Sequence, residues 1–247
     1  MKRLIVIAAG LAAGMPAFGQ DAAPAAAEPV ETVTVSTIKD PALRPYRRML
    51  RGLDAWDEKR GLAPAARLRF ELLTQDGKPA QPEGLALRIA GDKVDIPLPI
   101  DADATFVLPR SQEAYDDEAD LLLNRKKDQF RWRPQVRTPG VPEHARRLGD
   151  LRLECEITHA IRKEEIPLLY RAGAVAAGGI CQLPMVGYIF RAPKRLASAT
   201  VVSGGRKAGL ALHEGGAGYM VPMRDKSWDN DALVVYEYAE AKPAGTP

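Results

Sequence analysis

Cysteine and histidine are both scarce in this chain: only Cys155 and Cys181, and only His144, His159 and His213, occur in 247 residues. No two histidines stand three to five residues apart, so the paired-imidazole spacing of a zinc hydrolase is missing. No Cys-x-x-Cys offers a metal or redox centre. There is no Gly-x-Ser-x-Gly nucleophile elbow, and Ser203-Gly204-Gly205 reads as a turn. Asp101-Ala102-Asp103-Ala104-Thr105 opens like a calcium loop. However, the sixth position is Phe106 where glycine is needed and the twelfth is Gln112 where glutamate is needed. The acidic run Asp116-Asp117-Glu118 with Asp120 reads as a solvated loop. No metal and no cofactor is expected. Aromatic residues are only 6% of the chain, so the core should be mainly aliphatic.

Long apolar runs are missing too, apart from Leu4 to Met15, and that one falls short of the roughly 20 residues of a membrane-spanning helix. Lys2 and Arg3 precede it. Pro16-Ala17-Phe18-Gly19 follows, with small residues at Ala17 and Gly19. This order of basic end, apolar core and small-x-small site is that of a secretory signal peptide, with cleavage expected after Gly19. The competing reading is a short N-terminal anchor, but no stop-transfer segment follows. No twin arginine and no nearby cysteine are present, which points to the general secretion route and a periplasmic address, with full secretion as the alternative. Without Lys2 and Arg3, 33 basic residues face 32 acidic ones, and the formal charge falls from +3 to +1. Overall charge therefore gives no reason to expect a nucleic-acid partner.

Two cysteines in an oxidising compartment have one possible pairing, so a Cys155–Cys181 bridge is expected. In Leu151-Arg152-Leu153-Glu154-Cys155-Glu156-Ile157 apolar and charged residues alternate, which predicts a half-buried strand with Cys155 facing inward. Two other readings of Cys155 stay open: a metal-binding or catalytic pair with Cys181, and a Cys155–His159 dyad on one face.

Along the chain, residues 20–29 form an Ala/Pro-rich tether. Residues 30–64 hold a short strand (Val30 to Thr37) and then an amphipathic helix from Pro41 to Arg60. Leu43, Tyr46, Leu50 and Leu53 share one face of that helix. Strands are expected around Leu68–Leu72, Leu85–Ala90, Thr105–Leu108, Ala119–Asn124 and Gln129–Val136. Val94–Ile100 should be an edge strand, because Pro97 and Pro99 cannot donate to a ladder. Residues 65–137 therefore read as a β-sandwich domain. Thr138-Pro139-Gly140-Val141-Pro142 marks a boundary. Residues 146–240 read as a second β-rich domain with one helix at Glu164–Ala177 and strands at Val186–Phe190, Ala199–Ser203 and Leu233–Tyr238. Residues 241–247 read as a disordered tail.

Within residues 67–108, Asp76-Gly77-Lys78-Pro79 and the later Asp101-Ala102-Asp103-Ala104-Thr105-Phe106 resemble the paired turns of the carboxypeptidase-regulatory-like, or transthyretin-like, β-sandwich modules. Ala104 stands where that family carries glycine. The resemblance implies a transthyretin/immunoglobulin-like sandwich of seven strands, used as a structural or interaction module, with no catalytic residues to transfer.

The surface singled out for binding is basic. Alternation in Phe130-Arg131-Trp132-Arg133-Pro134-Gln135-Val136-Arg137 sends Arg131, Arg133 and Arg137 to one face and the aromatics to the other. With Arg125, Lys126 and Lys127 they make a candidate anion-binding stripe for lipopolysaccharide phosphates, phospholipid headgroups or peptidoglycan carboxylates. The leading expectation is a mainly β, non-enzymatic envelope module that binds or scaffolds, with anionic envelope components or another envelope protein as its partner. One alternative is a hydrolase-like enzyme with its site in residues 146–240, around His159, His213 and Ser227-Trp228-Asp229. The other is a membrane-surface protein using the helix at 41–60.

Overall fold

Seven short strands in the first half of the chain form two antiparallel sheets. The computed structural model describes residues 39–183 and 188–240. The expected signal peptide, tether, strand at Val30–Thr37 and tail at 241–247 fall outside the described residues, as do the first two residues of the strand expected at Val186–Phe190. The strands are β1 (Pro41–Pro45), β2 (Arg67–Thr74), β3 (Leu87–Ala90), β4 (Asp95–Leu98), β5 (Thr105–Phe106), β6 (Asp120–Lys126) and β7 (Phe130–Arg137). One sheet runs β1-β6-β3-β4 and the other β5-β2-β7. Leu87, Ile89, Leu121 and Leu123 from the first sheet share a core with Phe70, Leu72 and Phe106 from the second, as a sandwich requires. β4 lies at an edge, where Pro97 removes no ladder hydrogen bond. In the Asp101–Thr105 turn Ala104 takes φ +59°, a left-handed conformation that glycine adopts at no steric cost.

The expected helix from Pro41 splits in two. β1 pairs with β6, and α1 (Tyr46–Glu58) follows. The reason lies in Pro45, which pushes Arg44 to extended backbone and then suits the helix entry. Tyr46, Met49, Leu53 and Trp56, three or four apart, are buried. That apolar face belongs to the core, so it is not free to lie on a membrane.

The second half contains β8 (Ala145–Arg147), α3 (Leu148–Ile161), α4 (Leu168–Ala177), β9 (Ile189–Arg191), β10 (Leu196–Ser203), β11 (Arg206–Gly209), β12 (Leu212–His213), β13 (Gly218–Met220) and β14 (Leu233–Tyr238). A short α2 (Gln112–Asp116) stands between β5 and β6. Sheets β11-β10-β14-β8 and β12-β13-β9 enclose a second core of Phe190, Leu196, Val201, Tyr219 and Val234. The strand expected around Cys155 is instead the middle of α3, so this half carries two helices, not one. α3 is buried on nearly every side. Its odd residues meet apolar neighbours, and its charged Arg152 and Glu154 are buried with distant partners. The alternation of apolar and charged residues thus records two buried faces, not a half-exposed strand. The expected helix at Glu164 starts later, at Leu168, after a 3₁₀ turn over Lys163–Glu165.

α3 also joins the two halves. Leu153 and Ile157 share a third cluster with Trp56 of α1 and Val136 of β7. The helices approach closely at Gly52, where a Cβ would stand 2.7 Å from Ile161 Cγ1. Thr138, in the expected boundary segment, donates its N–H and hydroxyl to Asp150 of α3 at 2.8 and 2.6 Å. The described residues accordingly cluster as one unit.

Candidate functional site: an arginine-lined edge strand

β7 is an edge strand of its sheet, and ionic side chains gather along its free edge. Near its end, Val136 has no strand partner on the outer side. Its N–H donates to Glu154 Oε2 (3.3 Å) and its C=O accepts from Arg146 Nη2 (3.0 Å). Pro134 sits on the same outer edge, where a missing N–H costs nothing. Side chains thus complete the ladder that no strand completes.

Those side chains are ionic and buried. Arg146 Nη2 donates to Glu154 Oε2 at 2.6 Å, with only 7% and 1% of the two side chains exposed. Arg133 Nη2 donates to Glu71 Oε2 at 2.7 Å. Burial is the largest influence on Arg146 and pulls its pKa down, but Glu154 and the Tyr219 and Tyr236 hydroxyls reverse it, and the net shift is upward. Three polar atoms in this network remain buried without a partner: Arg133 Nε, Arg146 Nε and Glu154 Oε1. Tyr219 and Tyr236 share a hydrogen bond beside them.

Two concavities flank this network. The larger, of about 380 Å³, has an apolar floor that includes Met49, Phe70, Trp132 and Ile161. Five guanidiniums rim it, from Arg44, Arg48, Arg131, Arg133 and Arg162, against one lining carboxylate, Glu165. Arg48 and Arg162 pair with glutamates of the 163–165 turn. Arg131 Nε donates to Gln75 (3.1 Å), and among the described residues no carboxylate pairs with Arg131 or Arg44. Trp132 packs edge-on against Phe106, 5.9 Å between centroids, and remains half-buried in this cavity wall. The smaller concavity, of about 210 Å³, is lined by Arg133, Arg137, Arg146 and Arg191 together with the carboxylates of Glu71 and Asp103.

The comparisons return no relative. No protein-family model, curated protein or solved structure matches this chain.

The basic stripe expected from alternation is divided by the fold. Arg131 is exposed, while Arg133 and Arg137 are partly covered by the second half. Arg125 donates to the Asn124 carbonyl, Lys127 pairs with Asp40 at 3.3 Å, and Lys126 is exposed; these three lie at the β6–β7 turn, outside both concavities. Arg44, Arg48, Arg146, Arg162 and Arg191 come from distant segments, and no local pattern marks them.

Cys155 and Cys181 form a disulfide that ties α3 to the 3₁₀ turn Ile180–Gln182 after α4. With both sulfurs in the bridge, neither is a thiolate for a Cys155–His159 dyad or a metal pair. His159 lies one helical turn on, and its Nε2 is buried without a partner. Burial first, then the charge of Arg162, holds its pKa below the ordinary histidine value. Its ring meets Tyr188, whose hydroxyl donates to Thr158 Oγ1 (2.9 Å) and whose pKa burial pushes up to about 12. The residues considered for a hydrolase are engaged separately. His213 faces Glu214 at 3.3 Å, Asp229 accepts from Ser203 at 2.9 Å, and the Ser227 carbonyl accepts from Arg206.

Proposed function

We propose that this chain is an exported, non-catalytic envelope module, built on a transthyretin-like sandwich, that binds an anionic amphiphile of the bacterial envelope. The observation that carries this reading is the 380 Å³ cavity on the β7 edge. Its size falls within the range of small-molecule sites, and its apolar floor with convergent charged groups suits a ligand with an anionic head and an apolar body. Arginine supplies fixed positive charge and planar donors for carboxylate or phosphate. The start of the sequence supports export, and the Cys155–Cys181 bridge suits an oxidising compartment. Ala104, left-handed where the resembled modules carry glycine, supports the sandwich reading.

The test is binding of the mature chain to vesicles of phosphatidylglycerol, to lipopolysaccharide and to muropeptides, at rising salt. Affinity for at least one should fall with salt, because exposed charges are screened over about 8–10 Å at moderate ionic strength. Arg44→Glu with Arg131→Glu should remove it without unfolding the chain. Binding that ignores both salt and this double variant would sink the reading. Intact mass of the periplasmic fraction should match a chain beginning near Gln20.

One observation favours a second reading, association with a lipid surface. No residue of α4 is buried, and Leu168, Leu169 and Val175 are 74%, 81% and 84% exposed. Exposed apolar residues grouped on one helix mark interaction sites. Leu168→Glu with Val175→Glu should abolish flotation with vesicles under this reading, and unchanged flotation would exclude it.

A further inference from the structure

Opposed residues of an antiparallel ladder exchange both their hydrogen bonds or neither. Leu72 of β2 turns toward β5, where its N–H donates to the Ala104 carbonyl at 3.0 Å. Its partner on β7, Trp132, therefore turns its own N–H and C=O to the outer edge, and Phe130, Pro134 and Val136 follow at the two-residue period. That edge is closed at one end only. Glu154 and Arg146 occupy Val136, and Pro134 has no N–H. Among the described residues nothing bonds the N–H or C=O of Phe130 or Trp132, or the C=O of Pro134. An open strand edge is a template for another strand. The 380 Å³ cavity lies along this open stretch. Its lining takes Trp132 and Pro134 from the inner face of β7 and Arg131 and Arg133 from the outer face, so it runs past the edge itself. Ile161 and Arg162 line it too, so α3, which meets the edge at Val136 through Glu154, leaves room beside Trp132.

We infer that the ligand of this cavity is an extended peptide of alternating apolar and acidic residues, added as a strand to β7 at Phe130–Pro134. The inference rests on the anionic-amphiphile reading and names the chemical class of that amphiphile. In strand addition, main-chain hydrogen bonds give affinity and alternate side chains give specificity. A strand beside β7 continues both faces of its sheet. On the inner face every second side chain meets Phe70 and Trp132, with Met49 and Ile161 beside them, and these positions suit apolar residues. On the outer face the intervening side chains meet Arg131 and Arg133. The lining holds five guanidiniums and one carboxylate. Glu71 and Glu164 hold Arg133 and Arg48 from outside the lining, and positive charge still exceeds negative. Arg131 and Arg44 are the two with no carboxylate partner among the described residues, so acidic side chains complement them. A lipid headgroup meets the arginines alone, because it has no row of alternating amide donors and acceptors for Phe130 and Trp132.

Calorimetry of the mature chain with synthetic peptides tests this. The parent probe is acetyl-Glu-Val-Glu-Val-Glu-amide, and acetyl-Glu-Glu-Glu-Val-Val-amide has the same composition without the alternation. Two further probes carry N-methyl groups on the valine nitrogens or on the glutamate nitrogens of the parent. Dihexanoylphosphatidylglycerol, below its micelle concentration, is the rival lipid occupant. The parent peptide should bind, and the permuted peptide should bind at least about tenfold more weakly. Only one set of amides in an added strand faces β7. One N-methylated peptide should therefore lose about tenfold or more, the scale of two lost hydrogen bonds, while the other binds as the parent does. Arg44→Glu with Arg131→Glu should remove peptide binding, and the methylation pair tests the wild-type chain without any substitution. If the lipid binds and the parent peptide does not, the strand-addition inference falls and the amphiphile reading stands; if neither binds, both fall. Equal binding of the parent and permuted peptides, or of both methylated peptides and the parent, overturns the inference. So does a dimer in sedimentation whose formation excludes the peptide, which would give the edge to a second copy of the chain.

Discussion

Arg146→Met is the most informative single substitution for the β7 edge. It strands Glu154, of which only 1% is exposed, and removes both the 2.6 Å ion pair and the donor to the Val136 carbonyl. Breaking a buried pair from one side typically costs about 3–5 kcal/mol, because the remaining charge is left without compensation. Two details fix where in that range this site should fall. Glu154 keeps a weak partner in the Val136 N–H at 3.3 Å, and the loss of Arg146 relieves its repulsion of Arg137. The expected cost is therefore about 3 kcal/mol, the low end. The double variant Arg146→Met with Glu154→Leu removes both charges and leaves the Val136 N–H and C=O without side-chain partners. At about 1 kcal/mol for each lost hydrogen bond, it should cost about 2 kcal/mol, less than the single change. Urea unfolding followed by circular dichroism and by tryptophan fluorescence, with the disulfide intact, measures both, provided the two probes coincide. A double variant as unstable as Arg146→Met, or a single variant within about 1 kcal/mol of wild type, would refute the argument that the ion pair holds this edge.

Replacing Cys155 and Cys181 together by alanine should cost about 3.5 kcal/mol by loop-closure entropy for a separation of 26 residues; equal urea midpoints for the variant and the oxidised wild type would contradict this. His159 is held below its unfolded pKa, so the unfolded chain binds its proton first. Its contribution to stability is fully present above about pH 6.5 and is lost as pH falls from there toward the folded value. The raised carboxyls of Asp150 and Glu156 act in the opposite sense, so the measurement is the difference between wild type and His159→Phe in unfolding free energy at pH 7.5 and 5.5, which should shrink or reverse at the lower pH. Trp132→Ala should cost about 2–3 kcal/mol, below the roughly 3–5 of a wholly buried aromatic, because this ring is only half-buried in the cavity wall. A loss under about 1 kcal/mol in chemical denaturation would show that the Phe106 contact contributes little.

Most strands of the first half were legible in the sequence because one face of each meets a single core. Leu68, Phe70 and Leu72 repeat every two residues, and β2 is where they predict it. Pro97 announced an edge because the missing N–H permits nothing else. α3 was illegible for the converse reason. Arg152 and Glu154 are buried by partners 71 and 8 residues distant, outside the helix itself, so polarity gave no sign of which side faces solvent. The start of the first helix was legible at Pro45, which holds Arg44 extended, but the pairing of β1 with β6 was not, because Pro41 to Pro45 do not encode that contact.

The sequence by itself determined a mainly β chain, the single possible pairing of its two cysteines, and the alternation that puts Arg131, Arg133 and Arg137 on one face of a strand. These follow from short-range rules: the two-residue period of a strand, the backbone limits of proline, and a count of thiols. Only the tertiary structure decided what that arginine face meets. It set Arg131 on the rim of an open cavity, paired Arg133 with Glu71, and left Arg137 partly covered with no carboxylate partner among the described residues. The physical reason is that the worth of a charge depends on burial and on partners brought from elsewhere in the chain, and neither is written in its neighbours.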